Sequence, residues 1–373
     1  MLSGGASESN GLVSRIENGR QPLDSAMLKS LASALGCAPE FLEAKALDVI
    51  ATRPWLRAYA DAPSRVVESV VADNLLVAES IGRLQLRRIP DRIPIFDGDP
   101  NDDEAIEKFV DEVRAAAEIQ EGAVVGNAMR AAERLGCVVL PLAAELGRHL
   151  GMSQRIDGAS FIRVSRPGQG VAGVPGDRQR FTVLHEVGHL ALHAELPPPE
   201  TADDARRIER QAHRFASAFL APAEPLLEDW ERLGARVTLS VLADLKATWG
   251  IAIKALVVRF RQLGVIDADQ ATSLYKQISK RGWNRAEPVS TTNEEPIWLV
   301  RALAKRAEGE PCSGVMELAS RLALLSETHL HRWMDWSPQS IGAHVVGLPH
   351  RASVGPVTPR GGGEVIAFPS LKN

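Results

Sequence analysis

The stretch RFTVLHEVGHLALH, residues 180–193, constrains this chain more than any other feature. Phe181, Val183, Leu184, Val187, Leu190, Ala191 and Leu192 make it apolar almost throughout. Its length and spacing predict a helix, and the apolar frame predicts that the helix is buried. Inside that frame sit His185, Glu186 and His189. Residues four apart project from one helix face, one turn above the other, so both histidines can aim a ring nitrogen at one point. Buried polar groups need partners. Gly188, between the histidines, lets another backbone approach closely.

A metal ion is the partner that fits two such imidazoles. Zinc accepts imidazole and prefers four ligands. Glu186, one residue along, lies beside the ion rather than on it. There it can take a proton from an activated water and pass it to a leaving amine. The competing reading is a helix with two satisfied core histidines. For a third ligand, the metzincin spacing needs glycine and histidine where this chain has Leu192 and Glu195, so that arrangement is excluded. The other usual solution is a carboxylate from a following helix. IERQAHRFASAFLAP, residues 208–222, offers Glu209 at the head of an apolar face made by Ala212, Phe215, Ala216 and Phe219. His193 and His213 fall one turn after His189 and Glu209, and are expected behind the ligands or on the groove wall. Glu195 and Glu200 are weaker ligand candidates.

Composition narrows the setting. The chain has 373 residues, enough for two to three domains, and its 45% hydrophobic and 24% charged content is that of an ordinary soluble protein. A net charge of −4 excludes wholesale coating of nucleic acid and leaves room for a small basic reader. Cys37, Cys137 and Cys312 are odd in number and far apart, so no disulfide framework is expected and a reducing cytoplasm is. The first residues, MLSGGASESNG, do not read as a signal peptide, and no apolar run approaches the 18 residues of a membrane span.

The expected fold class is mainly α, of α+β type, with a small sheet. Helices are predicted over 64–88, 103–120, 123–136, the motif stretch, 202–220, 238–262 as a pair, 268–281 and 297–333 as a pair. Strands are predicted at 137–140 and 158–165. The strand at 158–165 is a candidate for holding an extended peptide by edge pairing, with Arg163 solvated on it. Residues 284–296 read as loop. From Asp335 onward Gly and Pro dominate, and a disordered tail is expected.

Together these residues resemble the ImmA/IrrE-type metallopeptidases, whose usual form is H-E-x-x-H followed by E-x-x-A-N-x-F-A and a proline. His213 stands where that family usually has Asn. The resemblance covers about residues 54–296, including DEAIEKFVDEVR, RLGCVVLPL and LKATWGIAIKALVVRFRQLGVID. It implies a zincin-like fold and a cytoplasmic zinc endopeptidase with one Zn2+ per chain. The implied ligands are His185, His189 and Glu209, with Glu186 as general base. The implied substrate is a transcriptional repressor or similar regulatory protein of phage, mobile elements or stress responses. The sequence assigns no residue to oxyanion stabilisation; the ion itself or a groove residue such as His213 could serve.

NGLVSRIENGRQPLDSAMLKSLASALGCAPEFL is similar to the second half of an Xre/Cro-type helix-turn-helix. Ser14, Arg15 and Arg20 are then candidate DNA contacts. Only ten residues precede it, so the two helices that open such a module are expected to be missing. The expected domains are a partial helix-turn-helix at 1–53, the peptidase at 54–235, a helix-turn-helix-like helical region at 236–333 and the tail at 334–373. The competing function is a DNA-binding, antitoxin-like regulator whose zinc is structural or sensory. Glu186 argues against it, because a closed structural site has no use for a carboxylate there.

Overall fold

The computed structural model describes residues 15–337, except 17, 46–48, 53, 55–63, 143–149, 168–173, 195 and 198. Ser14 and the expected tail beyond 337 therefore lie outside the described residues. The fold is mainly helical with one small sheet, an α+β arrangement that fits a zincin-like peptidase. Among the described residues no helix is long and apolar enough to cross a membrane.

Among the described residues three strands form the sheet: β1 (Cys137–Pro141), β2 (Gly151–Ile156) and β3 (Ala159–Val164), in the order β1-β3-β2. β1 runs parallel to β3, and β2 antiparallel to it. β2 was not foreseen. Its signal was the Asp157-Gly158 pair, where both residues take positive φ, as a two-residue hairpin turn requires. β3, expected as a peptide-pairing edge, is instead central, with both of its edges occupied. The edge belongs to β2. Residues 49–52 cover its far half: Ala51 bridges Ile156, and the Thr52 amide donates to the Arg155 carbonyl at 2.8 Å.

Strand side chains alternate between faces, and so do the two cores. Cys137, Val139, Ile162 and Val164 face a large cluster whose members run from Ile93 to Ile278, with Trp336 added. That cluster contains α4 (Asp103–Ala116), α5 (Ala128–Arg134), α6 (Gly176–Leu192), α7 (Ala202–Leu220) and α8 (Ala223–Arg232). It also contains α9 (Leu239–Trp249), α10 (Ile253–Gln262) and α11 (Ala268–Lys280). The expected boundary at 235/236 thus falls inside one continuous core. Val138, Leu140 and Phe161 face a second cluster, with α3 (Ser64–Arg83), α12 (Trp298–Ala307), α13 (Val315–Ala323) and α14 (Glu327–Arg332). The helix expected over 123–136 begins later, at the Asn127 cap, and 297–333 holds three helices rather than two.

α1 (Ser25–Leu35) and α2 (Pro39–Glu43) join the second layer through a local symmetry. α1 ends at Gly36 and α13 at Leu324, both left-handed with φ of 69° and 60°. Cys37 and Leu325, each one residue further, form an antiparallel bridge. The Ala38 amide donates to the Leu324 carbonyl and the Ser326 amide to the Gly36 carbonyl, both at 2.8 Å. Two helix-turn-helix pairs, one from each end of the described chain, are thereby joined turn to turn. Arg15 and Arg20 are both exposed.

Arg163 is not solvated. It is 1% exposed and lies on the α3 side of β3. Its guanidinium meets the Asp73 carboxylate at 2.7 Å, the Asn74 side-chain oxygen at 2.7 Å and the Pro141 carbonyl at 3.1 Å. Trp333 donates to the same Asp73 carboxylate at 3.0 Å. Burial alone pushes Asp73 up; contacts with His329, Arg163 and Trp333 outweigh it and hold the carboxyl at about 2. Arg163→Met leaves that carboxylate buried without its cation and is expected to cost about 3 kcal/mol at pH 7. In wild type the lowered value stabilises the fold above pH 3.8, and that contribution is lost as pH falls toward 2. Denaturant melts should show the Arg163→Met deficit at pH 7 shrinking in acid. An equal deficit at both pH values would count against the pairing.

Candidate metal centre

α6 is anchored at its start before it reaches the motif. Gly176 opens the helix against the Thr291 and Thr292 carbonyls, where a Cβ would collide with backbone. Arg180 pairs with Glu294, whose other oxygen accepts from the Ala128 amide at 2.6 Å and caps α5. Asp177 pairs with Lys246 of α9, which also holds Glu287 at 2.6 Å. The 284–296 segment, expected as a plain loop, thus fastens α5, α6, α9 and α10 together through its carboxylates.

α7 lies against α6. Phe215 packs where Gly188 has no side chain; a Cβ there would stand 3.0 Å from the ring. The close approach foreseen for Gly188 is therefore made by an aromatic ring rather than by backbone. It brings Glu209 over the two motif histidines. His185 Nε2 and His189 Nε2 stand 3.1 Å apart. Glu209 Oε2 is 3.4 Å from His185 Nε2, and Oε1 is 3.5 Å from His189 Nε2. Ligands held tetrahedrally about 2.0–2.1 Å from a zinc ion stand about 3.3–3.4 Å from one another. The two imidazole nitrogens and the two oxygens of one carboxylate, each oxygen facing one ring, stand at 3.1–3.5 Å, close to that spacing, and two imidazoles with one carboxylate are the right donor chemistry. The residues fit the ion.

Protonation agrees with the geometry. Burial lowers His189 to about 4, offset only partly by its bond to Glu209. Burial and the neighbouring His189 likewise bring His193 to about 3. Both rings are neutral at pH 7, the form a ligand or its support needs. Burial pushes Glu209 up, but hydrogen bonds from His185 and His189 outweigh it, so its carboxyl lies far below the ordinary range.

Glu186 stands beside the three ligand candidates and is 4% exposed. Its Oε2 accepts from Ser153 Oγ on β2 at 2.7 Å. Burial raises it to about 7; His185 and Ser153 lower it and Glu209 raises it by smaller amounts. Gly151 on β2 gives it room, because a Cβ there would lie 2.8 Å from Glu186 Oε1 and 2.7 Å from the Thr182 methyl. Sequence reasoning missed Ser153 and Gly151 because it missed their strand.

The two outer histidines are both close. His193 is fully buried, with its Nδ1 3.0 Å from His189 Nδ1. His213 stacks edge-on against His185, with ring centroids 4.6 Å apart, and its Nδ1 donates to the Glu209 carbonyl at 2.7 Å. His185, Glu209 and His213 each offer a ligand atom within 4.8 Å of the others. Glu200 is not in that group, and Glu195 lies outside the described residues.

A comparison with curated proteins finds none that matches the chain. A comparison with protein families matches residues 132–261, the stretch from the end of α5 through α10 that carries His185, Glu186, His189, Glu209, Ser153, His193 and His213. The family is Peptidase_M78, described as the IrrE N-terminal-like domain, and the match supports a place for this segment in the ImmA/IrrE family and a metallopeptidase-type function.

Proposed function

We propose that the chain is a zinc-dependent endopeptidase that cleaves a repressor-type regulatory protein. The observation that carries this reading is the convergence of His185, His189 and Glu209 at ligand spacing, with the buried Glu186 carboxyl beside them. His185, His189 and Glu209 would hold one Zn2+. When bound, the ion supplies Lewis-acid activation of water and of the scissile carbonyl.

The remaining chemistry belongs to the chain. Glu186 takes the proton of the attacking water and returns it to the leaving amine. Ser153 donates to Glu186 Oε2 and fixes which way the carboxyl faces. The near half of the β2 edge, residues 151–153, lies at Glu186, where an extended peptide can add as a further strand. Gly151→Ala tests this placement. The new methyl displaces Glu186 or Thr182, and a shift approaching 1 Å is expected to lower kcat/KM by about 100-fold. Zinc content of the variant should stay at the wild-type level. Full activity would show that Glu186 is not held there.

Elemental analysis of the purified chain beside His185→Ala tests the ion itself. One zinc per chain in wild type and little in the variant is expected. Manganese or iron in its place would correct the metal. A second reading, a closed structural or sensory site in a DNA-binding regulator, rests on His213 lying within ligand reach. Cleavage of a co-expressed repressor, lost in Glu186→Gln, would decide against it.

A further inference from the structure

We infer that His193 and Gln211 are positioning residues for the metal centre, forming a directed hydrogen-bond relay that runs from His189 to the turn before α4. This rests on the reading of His189 as a zinc ligand through Nε2.

A metal on Nε2 forces the ring proton of His189 onto Nδ1. That N–H points at His193 Nδ1, 3.0 Å away, which must then be bare and accepting. The His193 proton is thereby placed on Nε2. That atom lies 3.1 Å from Gln211 Oε1, an acceptor that carries no proton. The Gln211 amide donates in turn to Asn101 Oδ1 at 3.4 Å, and Asn101 Nδ2 donates to the Asp99 carboxylate at 2.9 Å. Every link has one donor and one acceptor, and only one set of tautomers satisfies all of them. The relay ends on a charge that accepts, so each bond polarises the next in the same sense.

The surroundings make this arrangement consequential. His193 is 0% and Gln211 7% exposed, so water does not readily substitute for a lost partner. Gln211 sits two residues after Glu209 on α7, so the helix that brings one ligand also orients another. Asp99 and Asn101 are exposed, and Asp99 also accepts from the Asn101 amide at 2.8 Å, which fixes the turn. A partner that accepts from the outer nitrogen of a ligating histidine orients the ring and raises its basicity, and its loss costs 10–100-fold in metal affinity.

The test uses the full chain and zinc alone, measured by competition with a chromophoric chelator. Gln211→Leu removes the acceptor and keeps the volume. It is expected to weaken zinc binding by about 10–100-fold. Because it also leaves the buried His193 N–H without an acceptor and lowers the melting temperature of the metal-free protein, affinity is read at a temperature where the metal-free variant is fully folded. Gln211→Glu keeps an acceptor oxygen and is expected to bind as tightly as wild type. His193→Phe should resemble Gln211→Leu. If that ring swap fails to fold, the two Gln211 variants decide the matter. The absorption bands of Co2+ bound in place of zinc should shift in Gln211→Leu and return in Gln211→Glu. Wild-type affinity in Gln211→Leu overturns the relay, as does a Gln211→Glu variant no better than the leucine. A wild-type chain that takes up no zinc overturns the metal reading first, and is distinguishable because no variant comparison is then needed.

Discussion

Glu186→Gln is expected to remove peptidase activity by on the order of 10³-fold or more while zinc content stays at the wild-type level. A positioned general base contributes about 10²–10⁴-fold, and in the proposed reaction the same carboxyl also serves as the acid in the second half. The swap is nearly isosteric, and the glutamine oxygen still accepts from Ser153, whose bond to Glu186 spans 2.7 Å. Loss of activity with metal retained separates Glu186 from His185, His189 and Glu209, whose removal should take the metal away.

The same variant carries a second signature in metal-free protein. Burial raises the Glu186 carboxyl to about 7, against an ordinary 4.5. A raised value means that stability is fully present below pH 4.5 and is lost as pH climbs through 7. Glutamine has no such ionisation. Metal-free Glu186→Gln should therefore be the more stable protein at pH 8, by roughly 3 kcal/mol, and show little advantage at pH 4. Parallel melts at the two pH values read this directly. A constant difference across that range would mean that Glu186 ionises as an ordinary carboxylate.

Lys246→Met is expected to be the most destabilising single change on the structural side. Lys246 is 2% exposed and is shared by Asp177 and Glu287. Asp177 is itself 4% exposed, and Glu287 also accepts from the Ile253 amide at 3.1 Å. Removing the cation leaves two carboxylates facing each other in a dry site, which costs about 3–5 kcal/mol. Thermal melts should fall by on the order of 10 °C. Replacing all three together, with Asp177→Asn and Glu287→Gln, is expected to recover most of the loss, because the penalty comes from unpaired charge rather than lost packing. Because Asp177 lies in the first turn of α6, Lys246→Met should also weaken zinc binding. A melting temperature unchanged in the single variant would mean that the triad contributes nothing.

The centre was largely legible in the sequence because helical periodicity alone carries it. His185, Glu186 and His189 need only one helix, and Glu209 needs only the apolar stripe below it on the next. What escaped depended on pairings between distant residues. Ser153 and Gly151 lie on a strand whose one local mark was the Asp-Gly turn. Gln211 reads in sequence as one more polar residue in an arginine-rich run; its burial follows only from where His193 sits. Arg163 misled for a related reason. A charged residue on a strand looks solvated until the acid opposite it is known, and Asp73 lies on a helix far earlier in the chain. Residues 284–296 have the composition of a loop, and they act as a strap because Glu287 and Glu294 meet cations from α6 and α9.

The turn-to-turn junction of Cys37 with Leu325 closes nearly the whole described chain into a ring. The metal centre sits inside that ring, on the far side of the sheet from the clasp. Closing so long a loop costs only slightly more entropy than closing a short one, but it cannot happen until the intervening core has brought the ends together. On that ground the clasp is expected to form after the core. Removing the N-terminal pair α1–α2 uncovers Leu325, which is 3% exposed in the whole chain. The α1–α2 pair thus acts as a cover for the α13–α14 turn, and a chain shortened at that end carries an exposed apolar patch at the other.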